Sequence, residues 1–327
     1  MEQNMADYRS TGKDLRKSPN GLIAGILTVL LAAGAAYGIK LTLDGIEPIT
    51  TATEAPEVSV PELDESSTEY NAADYGSESL PVGEMHNGPL VLISEEYPTE
   101  DITEGIATAF DNKLPIIAVR DLTIQLHEDA SAAMNEMAEA FQKETGLADL
   151  LILNGYVTKE EQQKRYDAQP KLYAPAGCSE FESGYSFEFS LYQNGTFQNF
   201  TTEDEHKWIA EHCAEFGIVQ RYPESRAAVT EVSNRPEVFR YVGKPHAWYM
   251  TENDLCLEEY SDLLDQYPFE GEHLRLTDKD GQEYEVYTVT VDPNDSSPEA
   301  VIPVPVGYTF NVSGNNKNGF IVTVELD

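Results

Sequence analysis

The chain has 327 residues, 41% of them hydrophobic, and a formal net charge of −37 with a pI near 4.3. That length is sufficient for one or two domains with a sizeable core. Nucleic acid and anionic membrane surfaces would repel so acidic a protein, which excludes both as expected partners.

The N-terminal region predicts a membrane anchor. Residues 1–17 contain four basic side chains, and no residue from Ser18 to Ile39 is charged. At 1.5 Å per residue this uncharged stretch reaches about 33 Å, enough to cross a bilayer. Basic residues before the span predict a cytoplasmic tail (1–17), a transmembrane helix (18–43) and an extracellular remainder. A secreted form remains the alternative, because Ala33-Gly34-Ala35 resembles a signal-peptide cleavage site.

The rest of the chain divides into three predicted parts. Residues 44–89 are rich in Glu, Asp, Ser, Thr and Pro, which predicts an extended acidic stalk. Residues 90–268 alternate helical and strand patterns, which predicts an α+β domain with helices packed on a small, mostly antiparallel sheet. Short alternating runs over 269–327 predict an appended β module.

Several elements of the α+β domain can be predicted individually. A helix is expected over Asp129–Gly146, and Thr158 with Glu161 forms a capping box that begins another. Tyr185–Leu191 alternates apolar and polar residues, which predicts a strand with one exposed face. The remaining predictions are a strand over 148–153, a helix from Thr202 that ends at Gly217, a strand over 238–242 and a helix over Thr251–Leu264.

The three cysteines, Cys178, Cys213 and Cys256, form no C-x-x-C pair, so the sequence does not support a structural zinc site. A Cys178–Cys213 disulfide can form in an exported protein. Three buried thiols are the simpler interpretation.

Four segments of the folded part carry a family resemblance. In order they read N-G-Y-V-T-K-E-E-Q (154–162), C-S-E-F-E-S-G-Y-S-F-E-F (178–189), H-K-W-I-A-E-H-C-A-E-F-G-I-V-Q-R-Y-P (206–223) and R-P-E-V-F-R-Y-V-G (235–243). Together they resemble the VanY-type D-alanyl-D-alanine carboxypeptidases, zinc peptidases of the bacterial cell wall. The resemblance spans roughly Leu90 to Leu264 and implies peptidoglycan stem peptides, or a cell-wall protein, as partner.

The resemblance also identifies the positions at which chemistry would occur. In the family motif S-x-H-x-x-G-x-x-x-D, the His and Asp bind zinc; here these positions hold Phe181 and Glu188, while Ser179 is kept. In the motif E-P-W-H, the Glu is the general base and the His is the third ligand; here they are Arg235 and Val238.

The family's substrate-binding Arg corresponds to Val157, and the Gln that follows it is kept as Gln162. The candidate peptide-binding cleft is therefore lined by Val157, Gln162, Ser179, Glu188 and Arg235.

These replacements predict a site without zinc and without a catalytic residue. A hydrolytic zinc site needs three protein ligands and an open position for water, and neither Phe nor Val has a lone pair to offer. A guanidinium cannot accept a proton from water. We expect Arg235 and Glu188 to form an ion pair where the metal would lie.

Three functions follow from this sequence. The first is a non-catalytic peptidoglycan-binding or scaffolding protein of the cell wall. The second is an active D-alanyl-D-alanine carboxypeptidase with an atypical site. The third is a structural extracellular module whose C-terminal β region makes the contact with a partner.

Overall fold

The computed structural model describes residues 74–102 and 104–326. Within those ranges, no helix combines the length and the apolar character needed to cross a bilayer. The predicted cytoplasmic tail and the transmembrane helix over 18–43 lie outside the described residues.

A central sheet organises the α+β part. It contains β3 (Ala118–Val119), β5 (Leu150–Asn154), β6 (Ser186–Gln193), β7 (Thr196–Asn199), β8 (Ile218–Tyr222) and β9 (Arg235–Tyr241). The strand order is β3-β5-β6-β9-β8, and β7 pairs with the far end of β6. Only β3 and β5 run parallel, so the predicted mostly antiparallel sheet is confirmed. Strands β2 (Ile106–Thr108) and β4 (Gln125–His127) form a separate antiparallel pair.

The helices are α1 (Ala109–Asn112), α2 (Glu128–Thr145), α3 (Lys159–Ala168), α4 (Lys207–His212), α5 (Ala227–Thr230), α6 (Lys244–Glu252) and α7 (Leu257–Leu264). The long helix α2 buries Met134, Met137 and Phe141 in the same cluster as Phe187 and Phe239 of the sheet. Burying a side chain of this size contributes roughly 1.5–3 kcal/mol. Helices α2 and α3 occur where the sequence predicted them.

Strand β6 differs from its prediction because both of its faces are buried. Ser186, Glu188 and Ser190, the predicted exposed face, are all buried. A 3₁₀ turn over Glu180–Ser183 packs against this face, and the Ser186 hydroxyl donates to Glu180 Oε1 at 2.7 Å. Each polar residue of β6 therefore has an internal partner: Glu188 pairs with Arg235, and the Ser190 hydroxyl donates to the Gln198 carbonyl.

The predicted single helix over Thr251–Leu264 is wrong. Helix α6 begins earlier, with Pro245 in its first turn, and ends at Glu252. Asp254 has a φ of +53°, which no continuous helix accommodates. Helix α7 then begins after Cys256, whose N–H donates to Glu259 Oε2 at 3.0 Å.

The C-terminal strands are β10 (Leu274–Thr277), β11 (Glu283–Thr290), β12 (Glu299–Pro305), β13 (Phe310–Gly314) and β14 (Gly319–Glu325). Four of them form an antiparallel sheet in the order β10-β11-β14-β13. Residues of α6 and α7 share one hydrophobic cluster with Leu274, Val286 and Ile321 of this sheet. Apolar contacts therefore join the sheet to the α+β part.

The stalk prediction is wrong for the part of it that the structure describes. Residues Tyr75–Pro81 form strand β1, which pairs antiparallel with β12 in the register Tyr75 to Pro305. A 3₁₀ turn over Val82–His86 follows, and residues 90–93 are buried. Local composition could not reveal this strand, because its pairing partner lies at the other end of the chain.

Candidate functional site

The segments that carry the family resemblance meet where strands β6 and β9 run side by side. Glu188 lies directly opposite Val238 in the antiparallel register. The 3₁₀ turn that precedes β6 carries Phe181, and the Val157 N–H donates to the Phe181 carbonyl at 3.3 Å. The structure thus brings together the positions that the resemblance assigned to the metal, the base and the substrate.

Three of those positions form an apolar cluster. Val157, Phe181 and Val238 pack together with Tyr222, and Val232 covers them. Burial raises the pKa of Tyr222 well above its usual range, so its hydroxyl stays protonated. The volume between these segments is occupied by hydrocarbon and a neutral phenol.

The polar remainder is an ion pair with an amide beside it. Arg235 Nη2 lies 3.4 Å from Glu188 Oε2, which confirms the predicted pairing, and Arg235 Nε lies 3.0 Å from Glu237 Oε1. Asn154 Nδ2 donates to the same Glu188 oxygen at 2.5 Å. Sequence reasoning missed Asn154; its only signal was a polar residue at the end of a buried strand.

These residues do not fit the zinc ion that the resemblance implies. Glu188 is the only side chain among the three ligand positions with oxygens to offer, and its Oε2 already accepts from Asn154 and pairs with the Arg235 guanidinium. The guanidinium would also repel a cation. Among the described residues, no group of three or more His, Cys, Asp or Glu is arranged to hold a metal ion.

The two kept family residues support the local fold. Ser179 begins the 3₁₀ turn, and its N–H donates to Glu182 Oε2 at 2.9 Å. The buried Gln162 side chain donates through Nε2 to the Ala174 carbonyl at 2.7 Å. Both residues therefore hold the segment between α3 and β6 in place.

A buried charge network fixes the turn that carries Phe181. Glu180 Oε2 accepts from Arg221 Nε at 3.0 Å, and Glu180 Oε1 lies 2.5 Å from Arg240 Nη1. Arg221 also makes two hydrogen bonds to Glu258, at 3.0 and 2.7 Å. Burial alone would raise the pKa of Glu180, but the two guanidiniums and the Ser186 hydroxyl lower it to about 2. Glu180 is therefore a carboxylate at every pH at which the protein is expected to work.

A cavity of about 370 Å³ is lined in part by Asn154, whose side chain donates to Glu188 of the ion pair. Val157 and Asn154 line it, as do Tyr156, Arg120 and Arg165. Burial raises the pKa of Tyr156 to about 12, and its hydroxyl donates to a backbone carbonyl at 3.1 Å. Of the predicted cleft residues, only Val157 lines this cavity.

The charged side chains that line this cavity differ in their hydrogen-bond and ion-pair partners. Asp121 accepts from the N–H and the hydroxyl of Thr123, both at 2.8 Å. Arg165 Nε lies 3.5 Å from Glu161 Oε1. Arg120 is exposed and has no ion-pair partner in the part of the chain that the structure describes. No motif or periodicity in the sequence singles out this residue.

A larger cavity, of about 690 Å³, lies away from this site. Its walls come from the segment before residue 90, from β13 and β14, and from Tyr185 and Tyr241, and none of the predicted site residues line it. His246 lies in α6 at its edge. There His246 contacts the hydroxyls of Tyr260 and Thr323 at 2.7 and 2.9 Å.

The three cysteine thiols are free, and two of them are buried, so the Cys178–Cys213 disulfide is not formed. Burial raises the pKa of Cys213 and of Cys256 to about 12, which keeps both thiols protonated. A protonated buried thiol is a poor nucleophile.

Known proteins resemble this chain in sequence and in fold. Residues 123–244 match the family described as VanY, D-alanyl-D-alanine carboxypeptidase. A D-alanyl-D-alanine carboxypeptidase of Enterococcus faecium is 30% identical over 267 residues, covering 80% of this chain and 82% of the relative. The bifunctional D-Ala-D-Ala dipeptidase and D-Ala-D-Ala carboxypeptidase VanXYC of Enterococcus gallinarum is 30% identical over 142 residues, covering 39% of this chain and 75% of the relative.

Among solved structures, the vancomycin-resistance D,D-dipeptidase VanXYg, in complex with a D-Ala-D-Ala phosphinate analog, has a similar fold. The two superpose with a TM-score of 0.66 at 24% identity, covering 77% of this chain and 99% of that one. The fold therefore extends beyond the range over which the four sequence segments alone carried the resemblance.

Proposed function

The chain belongs to the VanY family of D-alanyl-D-alanine carboxypeptidases, and we propose that it is a non-catalytic member that binds peptidoglycan stem peptides without cleaving them. One observation carries the proposal. The positions that correspond to the zinc ligands and the general base hold an apolar cluster and the Arg235–Glu188 ion pair.

The chemistry of these side chains supports the loss of hydrolysis. Peptide hydrolysis by a zinc enzyme needs an activated water and a group that removes its proton. Phe181 and Val238 supply no metal ligand, and Arg235 supplies no base. The remaining carboxylate, Glu188, is neutralised by the guanidinium beside it.

The adjacent cavity supports peptide binding. Its volume of about 370 Å³ lies within the range of small-molecule sites, and it combines polar and apolar walls. Arg120, which lacks an ion-pair partner among the described residues, offers a planar donor group for a terminal carboxylate. Arg165 and Asn154 add donors to the same cavity.

The decisive experiment measures binding and cleavage in the same preparation. A stem pentapeptide that ends in D-alanyl-D-alanine is titrated into the purified chain by calorimetry, while released D-alanine and bound zinc are quantified. We expect binding without D-alanine release and without stoichiometric zinc. Arg120→Ala should weaken binding about tenfold, because one charge-assisted contact is lost. Lys143→Ala, which removes an exposed cation from α2, should leave binding unchanged.

A second variant tests whether the replacements abolish metal binding. The combined change Phe181→His, Glu188→Asp, Arg235→Glu and Val238→His restores the family residues at adjacent positions. We expect this variant, once circular dichroism confirms that it is folded, to bind zinc that the natural chain does not retain. Equal zinc retention by both proteins would contradict the proposal.

The alternative is an active D-alanyl-D-alanine carboxypeptidase that acts on stem peptides through an atypical site. It is favoured by the 30% identity to the E. faecium carboxypeptidase. Release of D-alanine that a chelator abolishes would establish this alternative. Binding of a cell-wall protein, with no affinity for the pentapeptide, would assign the cleft to a protein partner instead.

We also propose that residues 18–43 anchor the protein in the cell membrane with its folded part outside. The support is the uncharged stretch preceded by basic residues. Protease treatment of intact cells should digest the folded part while the protein remains in the membrane fraction. Recovery of a shortened protein from the medium would favour cleavage and secretion.

A further inference from the structure

The hairpin formed by β6 and β7 (residues 192–199, the aromatic hairpin) exposes two aromatic side chains next to each other. Tyr192 and Phe197 are 44% and 62% exposed and lie directly opposite each other in the register. Their ring centroids are 5.2 Å apart. An exposed aromatic pair of this kind is a typical contact surface.

The segment that carries this pair contains no charged residue, and the neighbouring Asp149 carboxylate is largely buried, where it accepts from the Gln193 amide at 2.6 Å and pairs with His206. Residues 189–202 include no Asp, Glu, Lys or Arg, although 24% of the chain is charged. Every residue of β7 is exposed, and β7 pairs only with β6 among the described strands. Exposed edge strands usually carry charged residues that prevent association. An uncharged aromatic edge on so acidic a protein therefore points to a ligand that is itself uncharged.

The hairpin holds its rings in a fixed arrangement. Asn194 and Gly195, the two residues of the turn, have φ values of +51° and +79°. Positive φ at both positions is the geometry of the tight turn that matches the twist of paired strands. The two rings are not needed to close this turn, and they lie on residues that are paired in the ladder between β6 and β7.

The chemistry of this surface matches a neutral sugar. Aromatic rings have electron-rich faces, and a pyranose presents a flat face of C–H groups that packs against them. Asn199 lies on the same face as the two rings, and its amide can exchange hydrogen bonds with hydroxyl or acetamido groups. We propose that the aromatic hairpin binds the glycan strand of peptidoglycan through its N-acetylhexosamine units.

The aromatic hairpin lies on the same strand as a residue of the peptide cleft. The link between glycan and peptide binding rests on the proposed function. Tyr192 and Glu188 lie on the same face of β6, four residues apart, which is about 13 Å along a strand. A glycan strand seated on the two rings would carry its stem peptides past the end of the sheet at which Glu188 and the 370 Å³ cavity lie.

The test separates the two ligands. The probes are glycan strands freed of peptide by an amidase and the soluble stem pentapeptide, each titrated into the purified chain. We expect the double variant Tyr192→Ala/Phe197→Ala to lose about tenfold or more in glycan affinity, because two stacking surfaces are removed. Its affinity for the pentapeptide and its thermal midpoint should not change. Phe110→Ala removes a comparably exposed ring elsewhere and should affect neither.

Three outcomes would overturn the inference: no glycan binding by the natural chain, equal glycan binding by the double variant, or a dimer in the natural chain that the double variant loses. The last would assign the hairpin to self-association. Tyr192→Phe should retain glycan affinity, because it keeps the ring. Loss of pentapeptide binding with glycan binding intact would refute the proposed function and leave the glycan site standing.

Discussion

Replacing Glu180 with Gln tests whether the buried charge network holds the site in shape. The carboxylate lies between Arg221 and Arg240, and all three side chains are buried. Glu180→Gln keeps the size of the side chain and removes its charge. Two guanidiniums would then share a cavity with no carboxylate between them, and only Arg221 would keep another acidic partner, Glu258.

The expected loss of stability in Glu180→Gln follows from the pKa of Glu180. The pKa falls from the usual 4.5 to about 2 in the folded protein. This difference corresponds to about 3 kcal/mol of stability. Removing one partner of a buried ion pair costs roughly 3–5 kcal/mol in other proteins, which agrees. We therefore expect the free energy of unfolding at pH 7 to fall by about 3 kcal/mol.

The pH dependence gives this effect a distinctive sign. Because the folded pKa is lower than the unfolded one, the contribution of Glu180 is fully present above pH 4.5 and is lost as the pH falls toward 2. Urea unfolding at several pH values should show the natural protein and Glu180→Gln converging as the pH falls. Glu160→Gln, which makes the same change at an exposed carboxylate, should have little effect.

Two results would refute this reasoning. One is a loss of stability in Glu180→Gln no greater than that in Glu160→Gln. The other is a difference between the natural protein and Glu180→Gln that stays constant from pH 7 to pH 3. Either result would mean that the network contributes through packing and not through charge.

Three further predictions concern other parts of the fold. Gly217→Ala should destabilise the protein by about 2–3 kcal/mol, because its φ is +77° and an added Cβ would lie 2.8 Å from a backbone nitrogen. Gly146 has the same φ but open space around it, so Gly146→Ala should cost only about 1 kcal/mol; thermal unfolding measures both variants. Burial lowers the pKa of His246 to about 3, so stability should decrease as the pH falls below 6.5, and less so in His246→Gln; equal slopes would contradict this. Gln162→Met should lower the free energy of unfolding by about 1 kcal/mol, because the hydrogen bond to the Ala174 carbonyl is lost, and the segment after α3 should be digested faster by a protease. Weaker pentapeptide binding at unchanged stability would instead mean that Gln162 contacts the ligand.

Local signals in the sequence predicted the helices with clear ends. Gly146 adopts the left-handed conformation that ends α2. The Thr158 side chain accepts from the Glu161 N–H at 3.2 Å, which is one of the two bonds of the predicted capping box, while Glu161 Oε1 lies 3.5 Å from Arg165 Nε. Each of these features depends on residues within one helical turn, so the sequence contains all the information that is needed.

Features that depend on distant residues could not be predicted. The polar face of β6 is buried because Arg221 and Arg240, from two other strands, bring partners for Glu180 and thereby for Ser186. No periodicity reveals that a serine will find such a partner. Strand β1 was missed for the same reason, since its hydrogen bonds go to the opposite end of the chain.

The candidate site was predicted in part. The spacing of the family motifs was enough to place Glu188 beside Arg235, because two neighbouring strands fixed the distance between them. The roles of Gln162 and Ser179 could not be predicted in the same way, because a family residue that is kept can stabilise the fold and need not bind the ligand. Arg120 and Asn154 lie outside the motif positions, and only the three-dimensional structure shows that they line one cavity.

The pairing of β1 with β12 has a consequence for how this protein is made. Ser79 and Glu299, joined by a hydrogen bond across this ladder, are separated by 220 positions. During translation the backbone of β1 stays unpaired until β12, some 220 residues later in the chain, has left the ribosome. Contacts of such long sequence separation slow folding and leave exposed edges that aggregate. A premature stop before β12 would therefore release a chain in which β1 lacks the strand that it pairs with.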